Sequence, residues 1–253
     1  MKKTVLITGA TSGIGEAIAF RFAKENSNLI LTGRRTDRLK DLKQRLEEEY
    51  KINVLTLNFD VRELEQVEKA IDSLPEDWNV IDVLINNAGL AVGLNTFQEG
   101  VIDDWERMID TNVKGLLYVS KKIAPLMIAR NQGHIINIGS IAGKQNYPKG
   151  NVYCASKHAV DSLSASMRVD LLPHNIRVTQ IRPGAVETEF SLVRFKGDRD
   201  TADNVYKGYQ PLVADDIAEV TYYATSLPAH VNINDLEITP TAQANAYVMH
   251  KQL

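Results

Sequence analysis

The stretch TVLITGATSGIG, Thr4 to Gly15, decides the fold. Its first half, TVLIT, is a short aliphatic and β-branched run closed by glycine, the pattern of a buried strand. Its second half crowds Gly9, Gly13 and Gly15 before a segment, Gly13 to Lys24, in which Ile14, Ala17, Ile18 and Phe22 recur at helical period. A strand that turns through glycines directly into a helix leaves free N–H groups and the favourable dipole end at the turn. Glycine permits unusual backbone angles there and lets a pyrophosphate approach closely. The spacing is G-x3-G-x-G rather than G-x-G-x-x-G, and a bare cluster of this kind is as often only a tight turn. Its setting between strand and helix favours a nucleotide site drawn from Gly9, Thr11, Ser12, Gly13, Ile14 and Gly15.

The same alternation continues outward. LILTG reads as a second strand, followed by the charged helix DRLKDLKQRLEEEY, the strand NVLTLNFD and a helix from Glu63 to Leu74. IDVLINNAG is nearly continuously apolar, as a strand buried on both faces should be. HIINIGS and RVTQIRPG read as further strands, separated by long helices around 112–130 and 151–172, with a last short strand near LEIT. Strands spaced by helices imply a parallel sheet covered on both sides. The expectation is an α/β fold, one doubly wound domain over residues 1–253. Residues 187–212 are polar and weakly periodic, and read as an excursion over the sheet edge.

Composition removes other classes. With 44% hydrophobic and 24% charged residues the chain is neither disordered nor, at net charge −3, suited to wrapping nucleic acid. Its one cysteine, Cys154, forms no intramolecular disulfide or cysteine-rich metal site and points to a reducing cytoplasm. No apolar run approaches the ~18 residues of a membrane span. The opening MKKTVLITGA reads as a strand rather than a secretion signal, because its apolar stretch is only TVLI.

The second strand addresses the cofactor. A carboxylate roughly 20 residues after the glycine motif would accept bonds from the ribose of NAD. Here the strand ends LTGRRTDRL, where Gly33 leaves space and Arg34 and Arg35 bring positive charge. Guanidinium groups fork onto a 2′-phosphate, and cations at a helix start are otherwise disfavoured. The pair therefore indicates NADP over NAD.

In NVYCASKHAV, Asn151 to Val160, Tyr153 and Lys157 lie four apart on a predicted helix. The i, i+4 spacing places the ammonium beside the phenol, and nearby positive charge makes a tyrosine more acidic. Alone, such a pair is more simply a surface contact. Ser140, thirteen positions upstream at a strand end, and the glycine turn at the amino end favour chemistry.

These residues, with NNAG at Asn86–Gly89, Asp60-Val61, Asn112 and Pro183-Gly184, resemble the classical short-chain dehydrogenases/reductases in order and over nearly the whole chain. The resemblance implies a Rossmann-type sheet of seven strands, NADP(H) as cofactor, no metal, and homo-oligomers, dimers or tetramers. It implies that Tyr153 is the acid/base, that Ser140 holds the reacting oxygen, and that Asn112 supports a water chain from Lys157. Asp60 and Val61 would meet the adenine, Asn87, Ala88 and Gly89 its ribose side, and Tyr153 and Lys157 the nicotinamide ribose. Pro183, Gly184, Val186 and Thr188 would cover the nicotinamide.

The C-terminal third, from RVTQIRPGAVETEFSLVRFKGD to HVNINDLEITPTAQ, resembles the branch of NADP-dependent 3-hydroxy acid dehydrogenases, including serine and allo-threonine dehydrogenases. A VDGG-type ending, usual in 3-oxoacyl carrier-protein reductases, does not occur. A small hydroxy acid needs a partner for its carboxylate. Arg194, Lys196, Arg182 and Lys149 are candidates, with Arg194 joining Ser140 and Tyr153 as the expected substrate contacts. A broader carbonyl or 3-oxoacyl thioester reductase and a non-catalytic NADP sensor are the alternatives; the intact Ser140, Tyr153 and Lys157 set argues against the sensor.

Overall fold

Strand β1 (Thr4–Ile7) is buried at every position, and the glycine turn delivers the chain into α1 (Gly13–Lys24). In the computed structural model, which describes residues 2–252, there follow β2 (Asn28–Gly33), α2 (Thr36–Tyr50), β3 (Val54–Asn58) and α3 (Leu64–Asp72). Next come β4 (Val83–Asn86), α4 (Ile102–Ile109), α5 (Leu116–Ala129), β5 (Gly133–Ile138), α6 (Asn151–Leu171) and β6 (Ile176–Pro183). The chain closes through β7 (Val186–Glu187), α7 (Glu189–Arg194), α8 (Arg199–Asn204), β8 (Leu212–Val213), α9 (Ala214–Ser226) and β9 (Asp235–Ile238).

Seven strands of the described residues form one sheet in the order β3-β2-β1-β4-β5-β6-β9, every pairing parallel. Val5 stands opposite Leu29 on one side and Val83 on the other. Because side chains alternate across a strand, Val5, Ile7, Leu29 and Leu31 pack toward α1, α2 and α9, meeting Ile18, Phe22, Leu42 and Ile217. Leu6, Ile30, Leu84 and Ile135 face the other way, toward Val67, Ile71, Val119, Ile123 and Met127 of α3 and α5. This Rossmann-type architecture has its topological switch between β1 and β4, where strand ends open a crevice for a ligand. Among the described residues no helix is long and apolar enough to cross a membrane.

Two expectations change. The helix read as 112–130 is regular only from Leu116; Asp110–Gly115 form a wider π-turn joining α4 to α5. Such turns carry an extra residue and are invisible to a periodicity test. The excursion at residues 187–212, read as weakly periodic, also carries regular elements. Strands β7 and β8 pair in parallel, and α7 and α8 are capped by Thr188 and Asp198, whose side chains accept N–H bonds at 3.2 and 3.1 Å. Six-residue helices are too short to show a periodic stripe.

Candidate active site

A cavity of about 650 Å³ opens where β1, β4, β5 and β6 end. Its floor is the glycine turn, held by Thr8. The Thr8 hydroxyl donates to the Ile85 carbonyl at 3.3 Å and accepts from the Asn87 and Ala88 N–H groups at 3.0 Å each. In return, Asn87 Nδ2 donates to the carbonyls of Thr8 at 2.9 Å and Gly9 at 3.1 Å. Asn87 thus braces the turn as well as lining the cleft. Gly9 has φ +66°, a region that favours glycine, and a Cβ on Gly15 would run into the Gly9 carbonyl and the Asn87 amide. The turn fits a pyrophosphate lying over bare backbone.

Arginines gather at one end. Arg35 donates from Nε and Nη2 to Thr11 Oγ1 at 3.1 and 3.0 Å, and from Nη2 to Ser12 Oγ at 2.8 Å. Arg34 is more exposed and reaches Asp60 at 3.6 Å. The Asp60 carboxylate is gripped by Arg62 at 2.7 Å, which overcomes burial and holds its carboxyl below the usual range. Arg38, which sequence reasoning passed over, meets Glu189 of α7 at 2.9 Å, and Arg35 meets the same carboxylate at 3.1 Å. Burial raises the Glu189 carboxyl, but these two arginines keep it low. Three positions separate Arg38 from Arg35, one helical turn, so the repeated arginine was the available signal. This donor set fits a dinucleotide carrying an additional phosphate.

Opposite lies the Tyr153 side. β5 carries Ser140 two residues beyond its end, with its Oγ accepting from Ala142 N at 3.1 Å. Tyr153 and Lys157 project from the first two turns of α6 and line the cavity with Ser140. Lys157 is only 6% exposed, and burial pushes its ammonium down to about 8. Its Nζ donates to the Ile138 carbonyl at 3.0 Å and stands 6.0 Å from the centre of the Tyr153 ring. Burial raises the Tyr153 phenol, while Arg194 and the Ser140 hydroxyl pull it back. The helical spacing is as expected, and a second cation, Arg194, also stands near the phenol.

Asn112 sits in the π-turn, behind the cavity wall. Its Oδ1 accepts from Leu90 N at 2.8 Å, and its Nδ2 donates to Leu90 O at 2.8 Å and Ser156 Oγ at 3.0 Å. The amide clamps the loop after β4 to α6.

The carboxylate candidates separate cleanly. Lys196 is paired with Asp104 at 2.8 Å. Arg182 is buried on β6 against Asp235 and Asp161, at 2.7 and 3.3 Å. Lys149 is exposed and lies outside the cavity lining. Only Arg194 reaches the site. Its guanidinium carbon lies 4.9 Å from the Tyr153 ring centre and 5.3 Å from that of Phe190, and its Nη2 donates to Tyr147 Oη at 2.7 Å. Tyr147 and Phe190 had no periodic signal to mark them; folding brings both against Arg194.

Of the cofactor residues expected from the sequence, Thr11, Ser12, Gly13, Ile14, Val61, Ala88, Gly89, Pro183, Gly184, Val186 and Thr188 also line the cavity. Gly15 and Asn112 stand behind it and shape it.

The sequence profile of the family described as short chain dehydrogenase matches residues 3–197. The chain is 50% identical over 243 residues to the NADP-dependent 3-hydroxy acid dehydrogenase YdfG of Salmonella typhi, covering 96% of each. It is 46% identical to sulfoacetaldehyde reductase 2 of Chromohalobacter salexigens over 245 residues, again 96% of each. Among solved structures, the closed form of a serine dehydrogenase complexed with NADP+ superposes with a TM-score of 0.92 at 46% identity, covering 98% of this chain and all of that one.

Proposed function

The chain belongs to the short-chain dehydrogenase family, and from that premise we propose that it is an NADP-dependent oxidoreductase interconverting small 3-hydroxy acids and their 3-oxo forms. Bound NADPH supplies the hydride. Tyr153 gives its phenolic proton to the substrate carbonyl oxygen in reduction and takes the hydroxyl proton in oxidation. Ser140, at the end of β5, donates a hydrogen bond to that same oxygen and places it. Lys157 is held at the site by the Ile138 carbonyl, from where its ammonium can contact a ribose and return a proton to the phenol. Asn112 keeps the Leu90 loop and α6 in register around them. Arg34 and Arg35 recognise the 2′-phosphate, and the glycine turn supports the pyrophosphate.

The observation that carries the substrate assignment is Arg194. It stands over Tyr153, has no acidic partner among the ion pairs of the described residues, and keeps its Nε buried without an acceptor. A carboxylate on the substrate would pair with the guanidinium and orient the hydroxyl-bearing carbon toward Tyr153. A sulfonate would do so too, and the similarity to a sulfoacetaldehyde reductase supports small anionic aldehydes as a second reading.

NADP+ reduction should be measured against serine, allo-threonine, 3-hydroxyisobutyrate, 3-hydroxypropionate and a plain secondary alcohol, with sulfoacetaldehyde reduction measured in parallel. Preference for the plain alcohol defeats the acid assignment in favour of a broad carbonyl reductase. Tyr153→Phe should bind NADPH and lose turnover by about 10²-fold or more; full turnover defeats the mechanism. We also assign the enzyme to the cytoplasm as a homo-oligomer. The lone buried Cys154 supports a reducing compartment, and the exposed Val169 and Leu172 at the end of α6 support an assembly face.

A further inference from the structure

Arg194 sits closer to the acid/base tyrosine than a carboxylate anchor alone requires. Its guanidinium carbon is 4.9 Å from the Tyr153 ring centre, against 6.0 Å for Lys157 Nζ. The same cation faces Phe190, whose ring meets Tyr153 edge-on at 5.8 Å. With Tyr147 at 5.8 Å, three aromatic rings lie against the half-buried guanidinium, an arrangement that favours the cation on the side toward the phenol.

We propose that Arg194 supplies a second fixed positive charge, beside that of Lys157, against which Tyr153 works, so that an anionic substrate arriving on the guanidinium retunes the phenol as it binds. The second half of this inference rests on the 3-hydroxy acid reading given above; the first half does not.

The charged and titratable groups facing Tyr153 can be taken element by element. From α6 come Lys157, whose ammonium bonds the Ile138 carbonyl, and Cys154, a neutral thiol raised by burial. From the end of β5 comes the Ser140 hydroxyl, and from the loop before α6 the Tyr147 phenol, also raised by burial. Asp104 of α4, behind this cluster, is neutralised by Lys196. From α7 comes Arg194, which, like Lys157, has no anionic partner among the ion pairs of the described residues but lies nearer the Tyr153 ring centre. Positive charge favours phenolate and makes Tyr153 more acidic. A substrate carboxylate that pairs with Arg194 cancels much of that charge. The phenol then becomes a weaker acid, and its conjugate phenolate a stronger base, at the moment when the hydroxyl proton must be removed. A neutral alcohol leaves the arginine uncompensated and cannot produce this change.

The test separates the two halves. With NADP+ saturating, the pH profile of kcat/KM for methyl 3-hydroxypropionate, which has no carboxylate, is recorded for wild type, Arg194→Met and Arg194→Lys. The limb that reports Tyr153 ionisation should move to higher pH in Arg194→Met and return toward the wild-type position in Arg194→Lys. A limb unmoved in Arg194→Met overturns the proposal. A readout independent of turnover is NMR of the cofactor-free protein labelled at tyrosine ζ-carbons, with the Tyr153 signal identified by its loss in Tyr153→Phe. Its titration should move upward in Arg194→Met, and propionate should move it upward in wild type but not in Arg194→Met. Indifference of wild type to propionate, with Arg194→Met still displaced, defeats the carboxylate site while supporting the charge role. Equal midpoints in wild type and Arg194→Met defeat the charge role itself.

Discussion

Replacing Lys157 by methionine should abolish catalysis and yet make the protein more stable. The ammonium is 6% exposed, and burial lowers it from 10.5 to about 8. At roughly 1.4 kcal/mol per pH unit, keeping it charged in the folded chain costs about 3 kcal/mol. Methionine retains the length of the side chain and removes the charge; the lost bond to the Ile138 carbonyl costs about 1 kcal/mol. The net gain is about 2 kcal/mol at neutral pH, or about 4–8 °C in melting temperature for a chain of this size. The sign follows from proton binding. Below pH 8 the lysine is protonated in both states and the burial penalty is complete. Between about 8 and 10.5 the unfolded chain binds more protons, so the wild type gains stability as pH rises. Above 10.5 both states are neutral and the penalty is gone. Thermal unfolding of cofactor-free wild type and Lys157→Met, followed by circular dichroism from about pH 6 to about pH 10, should show a gap that is widest at the acid end and narrows upward. A variant that melts below wild type at pH 7, or a gap independent of pH, refutes the reasoning.

Thr8→Val should destabilise the fold by about 1–3 kcal/mol, because the Ala88 N–H loses its acceptor while the Asn87 N–H keeps the Ile85 carbonyl. The melting temperature should fall by roughly 2–12 °C, with Thr8→Ser close to wild type; an unaffected Thr8→Val would show that the hydroxyl is dispensable. Arg35→Ala should weaken NADPH binding by about 10–100-fold, the loss of one charge-assisted contact, while leaving NADH binding within a few-fold. Calorimetric titration with both cofactors checks this, and equal losses would remove the 2′-phosphate role. Gly15→Ala should reduce the affinity for both cofactors alike, since its Cβ would push on the Gly9 carbonyl and the Asn87 amide. A cofactor-selective effect would contradict that account.

Much of the fold was legible because its signals are local. Thr4 to Lys24 announces strand, turn and helix within one window, and IDVLINNAG declares a strand covered on both faces. Tyr153 and Lys157 share a helix, so their spacing alone places them on one side of it. The signal failed where an element was too short or carried an extra residue, as in α7, α8 and the π-turn that holds Asn112.

A parallel sheet covered on both sides was implied by the alternation of elements, and the cofactor by residues adjacent in the chain. The electrostatics of the site were not. Arg194 lies 41 positions beyond Tyr153 in the sequence, and nothing in the intervening chain shows that its guanidinium covers that ring. Nor does the sequence show that Lys196 is paired with Asp104, that Arg182 is buried among acids, or that Arg38 reaches Glu189. Propensity and periodicity report how a residue sits on its own element. Which charges are desolvated, and which face one another, depends on how separate elements pack, and Coulomb energy varies with that distance and burial. The sequence thus pointed to a tyrosine as the proton carrier; the tertiary structure set a second cation, Arg194, against its ring.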